Sequence, residues 1–215
     1  MLMEGYMGDL VPAQKKALRT ILSASNRMNE LVNMLLNVTR VESGSLAITS
    51  KSHTMQRLAE EVIRELELAA SEKSIELKLD MPKTACIVKT DNLLAKEILI
   101  NLMTNAVKYT PDGGKVILKL SSRTDSAVFS VTDTGIGIPA YSQEHIFTKF
   151  FRAQNVVKRE TTGTGLGLYL VKGLAEALRG KVWFKSEENV GSTFYFSLPK
   201  KTKTFRSSSK KAVHA

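Results

Sequence analysis

Hydrophobic positions along the chain recur with two different periods, and the change between them divides it. From Val11-Pro12 onward, Leu18, Ile21, Ser25, Met28, Val32, Leu35 and Thr39 follow alternating spacings of three and four, a seam widened by Leu22, Leu31 and Leu36. This pattern predicts one long amphipathic helix with Pro12 in its first turn and a glycine stop at Glu42-Ser43-Gly44. A helix this long cannot bury such a stripe alone, so it predicts a bundle partner; the alternative is a core helix of the same domain. Beyond Gly44 the pattern changes. Leu58, Val62, Leu66 and Ala69 mark an amphipathic helix over Met55–Lys73, followed by short strands at 75–79 and 86–88. Asp91 is placed to cap a helix running to Tyr109. Strands at 116–120 and 128–131 flank Arg123-Thr124-Asp125, and an irregular glycine-bearing stretch runs from Asp133 to Thr164. A helix over Leu166–Arg179, closed by Gly180, precedes strands at 182–185 and 193–198.

These elements predict an α+β fold: a two-layer α/β sandwich with helices on one face of a largely antiparallel sheet, preceded by the long bundle-forming helix. The expected division is residues 1–48 for the helical region, 49–199 for the sandwich and 200–215 for a basic, disordered tail. No repeat of solenoid length recurs.

Composition narrows the class. Of 215 residues, 43% are hydrophobic and 24% charged, the balance of a chain with a real core. No apolar run approaches the roughly 20 residues of a membrane helix, and Met1–Glu4 carries no signal-peptide pattern. The single cysteine, Cys86, allows no internal disulfide and fits a reducing cytosol. The net charge is +10, but six Lys/Arg and no acid lie in residues 200–215, so the tail supplies more than half of it. Little is left to support a nucleic-acid surface on the folded part.

Three features carry candidate chemistry. At 100° per residue, Glu97, Asn101, Asn105 and Lys108 share one narrow polar stripe on an otherwise apolar helix. Amide oxygens suit Mg²⁺ and a lysine suits a phosphate, although the stripe alone reads equally well as a solvated face. Asp133-Thr134-Gly135-Ile136-Gly137-Ile138-Pro139 follows an apolar strand, where a carboxylate suits an amino group such as adenine's; a tight turn with a capping Asp is the alternative. Gly163-Thr164-Gly165-Leu166-Gly167-Leu168 opens a helix whose free N–H groups suit a polyphosphate. It has neither Rossmann nor P-loop spacing. Seven of thirteen glycines fall between Gly113 and Gly167, and Phe147–Arg152 with residues 154–162 forms a basic segment suited to a lid.

In this order, with a late Gly191-Ser192-Thr193-Phe194, the features resemble the bacterial two-component sensor histidine kinases. Asn101–Tyr109 is similar to their N box, Asp133–Pro139 and Gly163–Leu168 to two glycine boxes, Phe147–Arg152 to the F box, and Ala17–Leu46 to the second dimerisation helix. The resemblance implies a left-handed βαβ ATP-binding sandwich, shared with gyrase, Hsp90 and MutL ATPases, acting with ATP and Mg²⁺. It assigns Asp133 to the adenine amino group, Tyr109 to packing on the base, and Gly135, Gly137 and Thr193 to the nucleotide pocket. Asn101 and Asn105 would hold Mg²⁺, and Lys108 and Arg152 would meet phosphates. Gly163, Thr164, Gly165, Leu166 and Gly167 would cradle those phosphates, and Glu97 would orient the attacked group. A homodimer through the bundle helix, a response-regulator partner and a cytoplasmic location are further implications. The family's acceptor histidine lies in a Ser-His-Glu-x-x-x-Pro pattern absent from this sequence. His53, His145 and His214 are poorly placed to replace it, so the acceptor is expected upstream of Met1. An anti-sigma-type serine/threonine kinase and a non-catalytic adaptor are the rival readings.

Overall fold

A computed structural model describes residues 10–159 and 163–200, leaving aside the side chains of residues 26, 27, 30 and 157–159. The expectations for the basic tail, for His214 and for residues 1–9 lie outside these residues. Helix α1 (Pro12–Glu42) leads into β1 (Lys51–Thr54), α2 (Met55–Glu72), β2 (Glu76–Asp80), β3 (Ile87–Thr90) and α3 (Asn92–Tyr109). Then follow β4 (Lys115–Ser122), β5 (Ser126–Asp133), α4 (Ala140–Gln143), α5 (Gln154–Arg159), α6 (Gly167–Ala177), β6 (Lys181–Glu187) and β7 (Gly191–Pro199).

Local chemistry sets the ends of these elements. Pro12 opens α1, where its missing N–H costs nothing. The helix stops at Gly44 (φ 63°), whose N–H donates to Val41 O while Ser45 N–H reaches back to Arg40 O. Asp91 caps α3 as expected, accepting N–H bonds from Leu93 and Leu94 at 3.0 and 3.2 Å. The end of α6 differs from the expectation. Arg179, not Gly180, takes the left-handed conformation (φ 57°), and Gly180 N–H closes the motif onto Ala175 O at 2.8 Å. Glycine is needed one step later because a Cβ there would lie 2.1 Å from Ser197 O.

Five strands form one sheet in the order β2-β4-β5-β7-β6, antiparallel except for the β2–β4 pair. Its inward residues, among them Leu118, Phe129, Val131 and Phe196, share one core with Leu58, Leu99, Leu102 and Leu174 of α2, α3 and α6. The two-layer α/β sandwich is therefore as the pattern indicates. Strand β1 was not foreseen. It pairs antiparallel with β3, setting His53 opposite Val88 in the ladder. Its short polar sequence gives no period to read. The stretch after Asp133, expected to be irregular, contains α4 and α5, and His145 falls in the turn beyond α4.

Candidate nucleotide-binding cleft

The C-terminal half of α3, the end of β5, the segment after α4 and the start of α6 converge on a cleft of about 1110 Å³. Glu97, Asn101, Asn105, Lys108 and Tyr109 all line it, so the polar stripe of α3 faces a cavity and not bulk solvent. The buried face of the same helix, through Ile98, Leu99, Leu102 and Met103, fixes that orientation. Asn101 Nδ2 donates to Glu97 O at 2.9 Å, which commits its donor end to the helix and leaves its oxygen as an acceptor. The Lys108 ammonium lies 5.6 Å from the centre of the Tyr109 ring.

Asp133 closes one end of the cleft and is only 8% exposed. The N–H groups of Gly135 and Ser192 donate to its Oδ1 at 2.9 and 3.2 Å, leaving the acceptor capacity of Oδ2 for another donor. Burial pushes this carboxyl up to about 6, against the opposing pull of those two N–H groups. Gly137 beside it has φ 61°, and a Cβ there would lie 1.9 Å from Glu187 O. No other residue fits that wall.

At the opposite end, Gly163, Thr164, Gly165 and Gly167 line the cleft beside Arg152, whose guanidinium lies 3.5 Å from where a Gly163 Cβ would stand. Gly165 (φ 70°) passes so close to Phe150 that a Cβ would come within 2.5 Å of its backbone. Leu166 is buried, and its N–H donates to the Thr164 hydroxyl at 3.1 Å.

Three expected residues, Gly135, Leu166 and Thr193, stand off the cleft wall. Gly135 lies beneath it as a donor to Asp133. Thr193 is on the other side of the sheet, 3.1 Å from the Thr132 hydroxyl, because strand alternation turns Ser192 and Phe194 inward instead. Ser192 is thus a site residue that motif reading missed; the register Asp133↔Ser192 is the signal, and it exists only in the sheet.

Helix α1 also reaches the cleft, which was not foreseen. Asn37 Nδ2 donates to Glu97 Oε1 at 2.8 Å, and the Thr164 hydroxyl lies 3.2 Å from Met34 Sδ. Lower on α1, Glu42 meets the Lys149 ammonium in an ion pair and accepts from the Tyr169 hydroxyl at 2.6 Å. Those two partners, Lys149 first, hold the Glu42 carboxyl below its usual range. Among the described residues no group of three or more His, Cys, Asp or Glu side chains converges on a metal site, and no helix is long and apolar enough to cross a membrane.

A family model for histidine kinase-, DNA gyrase B- and HSP90-like ATPases matches residues 90–202. The chain is 34% identical over 203 residues to the circadian input-output histidine kinase CikA of Synechococcus elongatus, covering 94% of this chain and 27% of that protein. It is 33% identical over 198 residues to the signal transduction histidine-protein kinase BarA of Escherichia coli K12, covering 88% of this chain and 21% of that one. The crystal structure of full-length ShkA in complex with AMPPNP superposes with a TM-score of 0.78 at 28% identity, over 90% of this chain and 40% of that one. This chain thus spans less than half the length of each of these three. By these matches the chain belongs to the histidine kinase-, DNA gyrase B- and HSP90-like ATPase family, as an ATP-binding domain of the sensor histidine kinase type.

Proposed function

We propose that this chain is the Mg·ATP-binding catalytic portion of a sensor histidine kinase, working in a phosphorelay with a response regulator. The observation that carries the reading is the pairing, across one cleft, of the buried Asp133 with the stripe Asn101, Asn105 and Lys108. Asp133 Oδ2 accepts the adenine amino group, and Tyr109 packs on the base. Ser192 supports Asp133 where Thr193 was first expected. The backbone of residues 163–167 and the cations of Lys108 and Arg152 hold the phosphates. The amide oxygens of Asn101 and Asn105 are hard neutral donors, which suit Mg²⁺ shared with phosphate and water. When bound, Mg²⁺ supplies neutralisation of charge on the phosphates.

In the reaction a bond forms between an imidazole nitrogen and the γ-phosphorus while the bond from that phosphorus to the ADP oxygen breaks. Glu97 orients the attacked phosphate. The acceptor is none of this chain's three histidines. His53 is held in the β1–β3 ladder, and His145 lies in a turn with its ring 5.6 Å from that of Phe151. His214 belongs to the basic tail. Residues 1–48 contribute part of a dimerisation bundle, a reading supported by the exposed apolar positions of α1, and the ATP-binding unit spans 49–199. Calorimetric titration with ATP, with and without Mg²⁺, tests the reading. Binding strengthened by Mg²⁺ is expected, and absence of binding overturns it. Incubation with labelled ATP is expected to leave the chain itself unlabelled at histidine.

A further inference from the structure

One side chain outside the cleft, Lys73, meets the end of α3, the helix whose polar stripe faces it. An α-helix ends with four backbone carbonyls lacking intrahelical donors, and a helix end packed in a core needs partners for them. At the end of α3, Ala106 O accepts from Thr110 N–H and from the Thr110 hydroxyl, at 3.1 and 2.6 Å. Tyr109 O accepts from Ile136 N–H at 3.2 Å. The remaining carbonyls are filled by one ammonium. Lys73 Nζ donates to Val107 O at 2.8 Å, to Lys108 O at 3.0 Å and to Thr110 O. A lysine has three N–H donors, and here all three are spent on one helix end.

The placement of Lys73 is itself fixed. It is the C-cap of α2, followed by Ser74 in the left-handed conformation (φ 54°), and its own carbonyl accepts from Gly113 N–H at 2.9 Å. Its positive charge at the negative end of α3 is favourable. Val107 and Thr110 are buried, so water is a poor substitute for the ammonium. The turn it grips carries Lys108 and Tyr109. That turn has no slack on the Asp133 side, where a Cβ on Gly135 would come within 2.8 Å of Tyr109 O.

We infer that Lys73, although not part of the cleft wall, is a positioning residue that sets the adenine seat by clamping the last turn of α3. The inference rests on the nucleotide reading above. Loss of the ammonium lets the turn bearing Tyr109 shift relative to Asp133. Asn101 and Asn105, held in regular helix further back, stay in place.

The test compares the parent with Lys73→Met, Lys73→Gln and Lys73→Arg, measuring ATP and GTP affinity, the Mg²⁺ effect on each, and thermal unfolding. Lys73→Met is expected to weaken ATP binding about tenfold, the scale of a small misplacement at a site. It should also narrow the preference for ATP over GTP while keeping the Mg²⁺ effect. Lys73→Arg should restore much of both. Parent-like ATP affinity and base preference in Lys73→Met, whatever its melting temperature, overturns the inference. So does equal loss of ATP and GTP affinity, which marks a merely structural role. If Lys73→Met does not fold, Lys73→Gln is read by the same criteria. A parent that binds ATP beside an indifferent variant removes this inference alone; a parent that binds no nucleotide removes the nucleotide reading with it.

Discussion

Helices α1 and α3 are both striped, yet the structure treats them in opposite ways. One apolar face of α3, through Ile98, Leu99, Leu102 and Met103, is buried, Ile98 and Leu99 at 0%, and its polar stripe is thereby turned into the cleft. On α1 the apolar seam is in the open, with Met28 61% and Leu35 50% exposed, while only the neighbouring face of its last third, through Met34, Val38 and Val41, packs on the α/β core. The lesson is that a stripe acquires meaning from what covers it. On α3 the covering sheet makes the leftover polar residues a site. On α1 the uncovered apolar seam is the feature that calls for a partner, the need that the proposed dimerisation bundle would meet.

The sharpest way to break this contrast is to truncate one leucine on each helix. Leu102→Ala on α3 is expected to cost about 2–5 kcal/mol in denaturant unfolding, as buried leucines do, whereas Leu35→Ala in dilute monomer should change stability by less than about 0.5 kcal/mol. Equal costs would show that α1 is covered after all. Next in size, Asp133→Asn should weaken ATP binding by about 10–100-fold in calorimetry, the scale of a hydrogen bond to a charged group. Unchanged affinity would detach Asp133 from the base.

Because burial raises the Asp133 carboxyl to about 6, its proton is retained in the folded chain at pH values where an unfolded aspartate has lost it. The stability it contributes is therefore full below the ordinary aspartate range and is lost as pH rises through about 6. ATP binding that uses the ionised carboxylate has the opposite sign. Affinity should fall by up to about tenfold per pH unit below 6 and level off above it, and Asp133→Asn should flatten that part of the profile. A parent and variant with parallel profiles would assign the titration to the nucleotide alone. The smallest effect on the ATP-binding domain is expected from Leu35→Glu, on the open seam of α1 away from the cleft. Sedimentation should show lost self-association with ATP affinity unchanged; undiminished association would place the interface elsewhere.

Much of this was legible in the sequence because it is local. Pro12, Gly44 and Asp91 mark helix ends through their own backbone chemistry, and the spacing of Glu97, Asn101, Asn105 and Lys108 puts them on one face of any helix. What was missed needs a partner from elsewhere in the chain. Strand β1 is too short and polar to show a period, and it exists because β3 pairs with it. Gly180 carries a helix-end signal, yet the close approach of Ser197 is what demands a glycine there. Thr193 and Ser192 are adjacent in a motif, and only the register with β5 decides which one turns to Asp133.

By itself, then, the sequence determined the longer helices and the strands of the main sheet, their order and the chemical kinds of residue available for a nucleotide, since periodicity and capping act over a few residues. The tertiary structure decided which polar stripe became a cleft, brought Asn37 to Glu97 and aimed the Lys73 ammonium at the end of α3. Those outcomes depend on contacts between residues tens of positions apart, and such contacts are fixed by packing and not by any local pattern.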